Sequence, residues 1–416
     1  MTDALPAHWG DRVNFLLGPL PLQWAALLAL AALAGHWAQR FAGLPKIVGY
    51  AVVGALAGWI GFTDAAWPLA GIGLLVLELG IAVVLLEAGA RLPLRWLRHN
   101  PMVLAQSLAE SLLTFAAAWL ALRALGFGLP QTRALAVIAV AASPTVLMRV
   151  AHDLRASGPV ADRALALATL NTLYALTLGT AMLRTIDRDG GMLASLATSA
   201  AVLLASLLCG AALALLLAAA LRVLHPGSQD TAIVALALVV VCAGVTAPLG
   251  GSAPLAALLG GLLLRQMHRR PWLWPRQLGA AASILNILMF VLVAYAAAQA
   301  EWRPAAVGVA LLLIGARLAA KVLGLAGASF GSGMTLAKAC WVGVAMAPMS
   351  SVALLLTSQF VAASHTIGAR VAAIALPAIL VTELLGATLV ALALHRAGDA
   401  PPPRRGPRHA GEDTRP

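Results

Sequence analysis

Ionisable side chains inside apolar stretches are the residues of this sequence most able to do chemistry. They are Glu78, Glu87, Glu110, Glu383 and Lys321, each within a largely apolar run. A charge buried in hydrocarbon is costly, so residues of this kind are functional candidates by default. The nine His are scattered and the three Cys lie alone. We therefore expect no transition-metal site, no cofactor and no enzymatic reaction.

Glu78 and Glu87 share one apolar stretch and are nine residues apart. Nine helical residues rotate by about 900° and rise roughly 13.5 Å, which places the two carboxylates on opposite faces. At most one of them can face a central site. Glu87 precedes a basic loop and is predicted to be an interface residue. For Glu78 a functional role and a structural pairing with a polar neighbour both stay open.

Glu110, Glu383 and Lys321 lie deeper in their apolar stretches. Glu110 has the polar neighbours Ser107, Ser111 and Thr114, whereas Lys321 follows Arg317 by one helical turn. A lysine at such a depth needs a partner, although a structural or snorkelling side chain is the alternative.

Two apolar segments that contain proline must position these groups. Pro144 follows Ser143 and precedes Thr145 within residues 134–150, and Pro348 precedes Ser350 within residues 334–356. Proline lacks an N–H and clashes with the preceding turn, so each helix is predicted to break there. Paired broken helices in the two halves of a chain are typical of the midplane ion site of a secondary transporter. Two kinked structural helices are the alternative.

The composition indicates a polytopic membrane protein. Hydrophobic residues make up 61% of 416 residues and charged residues only 11%. About 20 apolar residues span the hydrocarbon core. We predict an all-α fold with thirteen transmembrane spans in residues 22–395. They are predicted to begin near Leu22, Ile47, Ala70, Pro101, Thr132, Val160, Met192, Thr231, Ala253, Gln277, Ala305, Met334 and Thr366.

The distribution of basic residues predicts the orientation. The net charge is +12, and Lys and Arg concentrate in the connections after odd-numbered spans and in the C-terminal tail. The positive-inside rule then places residues 1–21 outside and the tail, residues 396–416, in the cytoplasm. The Pro-rich tail is predicted to be disordered. The basic loops are interpreted as membrane anchors, so no nucleic-acid partner is expected.

Four short motifs resemble one transporter family. They are LPKIVGY at residues 44–50, LELG at 77–80, SPT at 143–145 and APLAA at 253–257. In this order and spacing, they resemble the membrane domain of the bacterial monovalent cation:proton antiporter-2 (Kef-type) family. The resemblance implies inverted repeats with two crossover helices and a homodimer in the bacterial inner membrane. It also implies exchange of Na⁺ or K⁺ for protons. The sequence has no counterpart of the Kef nucleotide-binding domain, so no nucleotide partner is expected.

One residue departs from the family pattern. The helix after the first crossover is expected to carry an aspartate that binds either the cation or the proton, but this chain has Asn171-Thr172 at that place. Amide and hydroxyl oxygens can ligate a hard cation but cannot exchange a proton near neutral pH. By inverted-repeat logic, Glu383 comes closest to replacing the lost carboxylate. Glu383 or Glu78 is then the expected partner of Lys321, with the dipoles and free carbonyls at helix C-termini as the alternative.

These observations predict a secondary transporter. The predicted ion-binding and transport residues are Ser143, Thr145, Asn171, Thr172, Lys321, Glu383, Glu78 and Ser350, with helix breaks at Pro144 and Pro348. The alternative function is that of a transport-inactive or altered-substrate relative that acts as a sensor or partner subunit.

Overall fold

The described part of the computed structural model is helical throughout and contains no strand. It covers residues 20–62, 72–92, 94–185, 192–225, 228–267, 276–300, 302–349 and 351–401. Its helices are α1 Leu20–Phe41, α2 Lys46–Ile60, α3 Ile72–Arg91, α4 Leu94–His99, α5 Pro101–Ala124, α6 Leu129–Val140, α7 Pro144–Leu154, α8 Pro159–Thr185, α9 Met192–Val223, α10 Gln229–Thr246, α11 Ala253–Met267, α12 Arg276–Ala298, α13 Pro304–Gly327, α14 Leu336–Ala345, α15 Ser351–Ala363 and α16 His365–Arg396.

The predicted spans correspond to these helices, and the all-α membrane fold is confirmed. Every predicted start lies within three residues of an observed helix start. Seven of the described helical segments are long and apolar enough to cross a membrane, and shorter apolar helices accompany them. The six-residue helix α4 is additional to the predicted spans and is too short to cross a bilayer.

Both proline-containing spans are broken, as predicted. In the first, α6 ends at Val140 and α7 begins at Pro144, whose missing N–H costs nothing at the first helical position. The Ser143 hydroxyl caps α7 by accepting from the Val146 N–H at 3.2 Å. In the second, α14 ends at Ala345 and α15 begins at Ser351, so that Pro348 lies in the gap. Ser350 lies outside the described residues.

Glycines allow the helices around the two breaks to approach closely. A Cβ on Gly324 of α13 would overlap the Cα of Glu110 in α5. A Cβ on Gly386 of α16 would overlap Pro348. Because glycine has no side chain beyond hydrogen, α13 can approach α5 closely at Gly324, and α16 can approach the second break closely at Gly386. Elsewhere Gly54 and Gly58 bring α2 against α12 in the same way.

Candidate functional site

One arginine joins the two helix breaks. Arg317 of α13 is 1% exposed, and its guanidinium donates to backbone carbonyls on both sides. Its partners on the first break are the carbonyls of Ala139 and Ala141, both at 2.7 Å. On the second break they are Met346 at 3.3 Å, Ala347 at 2.5 Å and Pro348 at 3.2 Å. The C-terminal ends of α6 and α14 carry unpaired carbonyls and negative dipole ends, which a buried cation stabilises.

Lys321, one turn after Arg317, forms a buried ion pair with Glu110. Its Nζ lies 2.5 Å from Glu110 Oε1, and both side chains are wholly buried. Nζ also lies 3.4 Å from the Val140 carbonyl, the last residue of α6. Lys321 therefore has a different partner from Glu383 and Glu78, which we expected from the sequence. The expected carboxylate partner was wrong because the sequence carries no information on which helix faces α13, whereas the Val140 contact agrees with the alternative of a free carbonyl at a helix C-terminus.

Three polar side chains complete the surroundings of the Glu110 carboxylate. The Asn171 amide nitrogen donates to Oε2 at 2.7 Å, and the Thr114 hydroxyl donates to Oε1 at 3.0 Å. The Ser111 hydroxyl lies 3.4 Å from Oε2 and donates to the Asn171 amide oxygen at 2.9 Å. Asn171 thus contacts the Glu110 carboxylate through its amide nitrogen in this arrangement, and its role as an ion ligand stays a prediction.

Thr172 faces the first break and not the carboxylate. Its hydroxyl donates to the Ala142 carbonyl and to the Ala168 carbonyl one turn earlier, both at 2.9 Å. Its side chain is wholly buried, as is that of its neighbour Asn171. Thr145, at the beginning of α7, is 5% exposed. Four successive carbonyls of the first break, at residues 139–142, thus meet a side-chain donor from Arg317, Lys321 or Thr172.

Neither of the two remaining predicted carboxylates forms a hydrogen bond or ion pair with Lys321 in the described part of the chain. Glu383 is 1% exposed, and neither of its oxygens has a hydrogen-bond partner among the described residues. It lies three residues before Gly386, which packs against Pro348 at the second break. Glu78 on α3 is half-buried, and we find no hydrogen bond or ion pair from it to the described part of the chain. Glu87 forms an ion pair with Arg91, in which the nitrogen and oxygen atoms are 2.6 Å apart.

The polar cluster of Glu110, Asn171, Ser111 and Thr114 has the chemistry of a site for a small hard cation. It combines a carboxylate, an amide oxygen and two hydroxyls within one buried volume, which are the ligand types that such ions prefer. The cation now in contact with it is the Lys321 ammonium. In the part of the chain that the structure describes, no three His, Cys, Asp or Glu side chains gather in a way that suits a transition metal.

Two polar cavities open beside the beginning of α8. One has a volume of about 680 Å³ and includes Asn100 and Arg163 in its lining, and the other measures about 530 Å³ and includes His152. Both are lined by Arg91 and Asp162. Both cavities therefore lie at the N-terminal end of the helix that carries Asn171 and Thr172.

Sequence reasoning noticed Glu110 but did not include it among the predicted site residues. A signal was present, because Ser107, Glu110, Ser111 and Thr114 recur at the three- and four-residue spacing of one helix face. A polar face on an otherwise apolar span indicates a partner inside the protein.

Comparison with known proteins agrees with this architecture. A family model described as the transmembrane sodium/hydrogen exchanger matches residues 25–395. No protein of curated description matches the sequence. The fold is similar to a structure of the sodium proton antiporter MjNhaP1 from Methanocaldococcus jannaschii at pH 8, with a TM-score of 0.68 and 15% identity over 90% of this chain and 97% of that one. An electron-microscopy structure of the same antiporter gives a TM-score of 0.67 and 15% identity over 91% of this chain and 98% of that one. The chain thus belongs to the sodium/hydrogen exchanger family and has the fold of a monovalent cation:proton antiporter.

Proposed function

We propose that this protein exchanges a monovalent cation, Na⁺ or K⁺, for protons at the crossover of the two broken helices. The observation that carries the proposal is the buried pair of Glu110 and Lys321 beside the first break. The carboxylate is a titratable group at the place where the half-helix ends meet, and it is held by Asn171 from the helix after that break.

The exchange follows from charge balance in this buried volume. A carboxylate can be neutralised by a proton, a metal cation or an ammonium, but a buried site does not tolerate two extra positive charges. When a cation takes oxygen ligands from Glu110, Asn171, Ser111 and Thr114, the Lys321 ammonium must release its proton to water on that side of the membrane. Release of the cation on the other side allows the proton to return. One carboxylate and one amine thus couple the two fluxes.

The finer identity of the protein rests on the resemblance to the Kef-type branch. That branch carries an ion-binding aspartate in the helix after the first break, and by this resemblance Thr172 takes its place in the present chain. We propose that Glu110 supplies the missing carboxylate from the neighbouring helix α5. The Thr172 hydroxyl, bonded to the Ala142 carbonyl, then holds the first break open toward the site. Ser143 and Thr145 are proposed to line the route along the first break.

Glu383 is proposed as a second proton-binding group. A buried carboxylate without hydrogen-bond partners is costly when ionised, so a proton on Glu383 stabilises the present arrangement. Gly386, which follows Glu383 by three residues on α16, packs against Pro348 and so relates this part of the helix to the second break. Glu78 on α3 remains a candidate for the approach to the site.

The proposed setting is the inner membrane of a bacterium, with a homodimer as the assembly. The bias of Lys and Arg toward one side supports a cytoplasmic C-terminus and an external N-terminus. In this orientation the two polar cavities at the beginning of α8 open toward the cytoplasm.

The alternative is a transport-inactive relative that acts as a sensor or partner subunit. One observation favours it: the site carboxylate is sealed by an ammonium, and both groups are wholly buried. A permanent Glu110–Lys321 pair of this kind would serve stability alone.

Transport by everted vesicles distinguishes the two functions. We expect Na⁺ or K⁺ to dissipate an imposed pH gradient in vesicles with the wild-type protein, and Glu110→Gln to abolish this response. Glu383→Gln is expected to lower it, and undiminished exchange would remove Glu383 from the mechanism. Wild-type vesicles that are silent toward Li⁺, Na⁺ and K⁺ would favour the sensor function. Labelling of an Arg98→Cys variant only from the cytoplasmic side would support the orientation.

A further inference from the structure

The helix that carries Asn171 and Thr172 begins without a capping side chain of its own. Gly158 precedes Pro159, the first residue of α8, so the first-turn N–H groups need an acceptor from elsewhere. Asp399 supplies it from the other end of the sequence. Its Oδ2 accepts from the Val160 N–H at 2.9 Å and from the Ala161 N–H at 2.8 Å. A carboxylate at this position also interacts favourably with the positive end of the helix dipole.

The position of Asp399 is set by the way α16 ends. Gly398 has a φ of 80°, and its N–H donates to the His395 carbonyl at 3.1 Å. The Asp399 N–H donates to the Leu394 carbonyl at 3.0 Å. These two bonds form the Schellman motif, which closes α16 with a glycine in the left-handed region. The Asp399 carbonyl in turn accepts from the Ser157 N–H at 2.9 Å, and the residue is only 8% exposed.

Gly158 is adapted to this contact by its size. A Cβ at this position would overlap the Asp399 carboxylate. Gly158 is not among the glycines with a positive φ, so its backbone would accept an alanine. The glycine therefore provides space for the carboxylate of Asp399, and this gives a way to disturb the contact from its other side.

A second group of bonds ties the same end of α8 to the helices of the ion pair. Arg163 donates to the side-chain oxygen of Gln106 and to the Ser332 carbonyl, both at 3.1 Å. Gln106 donates to the Ala328 carbonyl, directly after α13, at 3.1 Å. Gln106 lies one turn before Glu110 on α5. The helices that carry Glu110, Lys321 and Asn171 thus meet at this end, and Asp399 adds α16 to them.

We propose that Asp399 is a positioning residue for cation exchange, because it holds the beginning of α8 and thereby the register of Asn171 and Thr172 at the site. The proposal rests on the proposed function. Asn171 lies about 18 Å along the helix from Pro159. A helix transmits a shift at its end to residues further along. A displaced α8 would withdraw the Asn171 amide from Glu110 and the Thr172 hydroxyl from the first break together.

The test measures the apparent KM for the exchanged alkali cation in everted vesicles and the thermal midpoint of each purified variant. Asp399→Ala is expected to raise KM by up to about fivefold, the factor that corresponds to one lost capping interaction of about 1 kcal/mol. Asp399→Asn is expected to keep the wild-type KM, since an asparagine oxygen is an equally good cap. Asp230→Ala, an exposed acidic residue in the first turn of α10, is the matched control and should leave KM unchanged.

A double-mutant cycle with Gly158 makes the test specific for the contact. Gly158→Ala alone should raise KM as Asp399→Ala does, because its methyl group displaces the carboxylate. In the Asp399→Ala background the same substitution should add little. A wild-type KM in Asp399→Ala and Gly158→Ala, even with lower thermal midpoints, would overturn the proposal and leave Asp399 a structural cap. So would additive effects in the double variant. Wild-type vesicles without any exchange would overturn the proposed function and this inference together. An active wild type with an unchanged KM in Asp399→Ala and Gly158→Ala would overturn this inference alone.

Discussion

Glu110→Gln is the substitution with the clearest consequence for the proposed site. It keeps the shape of the side chain and the hydrogen-bonding partners on the oxygen that remains, but it removes the negative charge. Lys321 then loses its only ionic partner in the described structure and retains the Val140 carbonyl at 3.4 Å. We expect the variant to lose exchange and also to lose stability, since the ammonium is left buried without a counter-charge.

The magnitude follows from the burial of the pair. Both side chains are wholly buried, and removal of one partner from a buried ion pair costs about 3–5 kcal/mol. Lys321→Met is expected to cost a similar amount, because the carboxylate keeps only its neutral donors. The double variant Glu110→Gln with Lys321→Met removes both charges. We expect its cost to be about 2–3 kcal/mol below the sum of the single costs.

The assay is thermal unfolding of the four purified proteins in one detergent, with transport measured on the same preparations. A loss of 3 kcal/mol is expected to lower the midpoint by about 5 °C or more. Glu87→Gln is the matched control, because Glu87 forms its 2.6 Å pair with a half-exposed Arg91. Such a surface pair contributes about 0–1 kcal/mol. If the two single losses add fully in the double variant, Glu110 and Lys321 are not a coupled charge pair, and the reasoning fails.

Three further substitutions test other parts of the site. Arg317→Lys should abolish exchange and lower the thermal midpoint. An ammonium cannot donate to all five carbonyls that Arg317 contacts, and each buried carbonyl left without a donor costs about 1–3 kcal/mol. A wild-type midpoint would contradict this. Thr172→Asp should hold a proton, because the position is wholly buried and only a neutral carboxyl can donate to the Ala142 carbonyl as the Thr172 hydroxyl does. It should strengthen exchange or shift its pH optimum, and no change in either would show that Thr172 is not at the site. Gly324→Ala should lower exchange, because its methyl group would separate α13 from Glu110. Gly315→Ala is the control on the same helix and should not lower exchange, because the space around Gly315 is open. Equal effects of the two substitutions would exclude the close approach of Gly324 to Glu110 as the cause.

Much of the fold was predictable because it depends on local chemistry. Apolar length locates a span, and the missing N–H of Pro144 breaks one, regardless of the neighbouring helices. The short helix α4 was missed because its six residues carry a basic pattern and no apolar run. Roles that depend on which helices touch could not be predicted in this way.

The site shows the same limit. Lys321 was predicted to need a partner, and it has one, but the sequence does not tell which of several carboxylates faces α13. Gly324 decides this, since it admits Glu110 to that helix. Arg317 was noticed only as a neighbour of Lys321, although it joins both breaks. Its role depends on the crossing of two segments that are about 200 residues apart in the sequence.

Proton release on cation binding tests the central claim most directly. The claim is that one buried site, built on Glu110 and Lys321, binds either the cation or the proton. Purified protein in a weakly buffered solution near neutral pH is mixed with Na⁺ or K⁺, and the pH is followed with choline chloride as the ionic-strength control. The account predicts that the alkali cation releases protons from the wild-type protein and that Glu110→Gln releases none. Proton release of wild-type size from Glu110→Gln would contradict it and place the exchange site elsewhere.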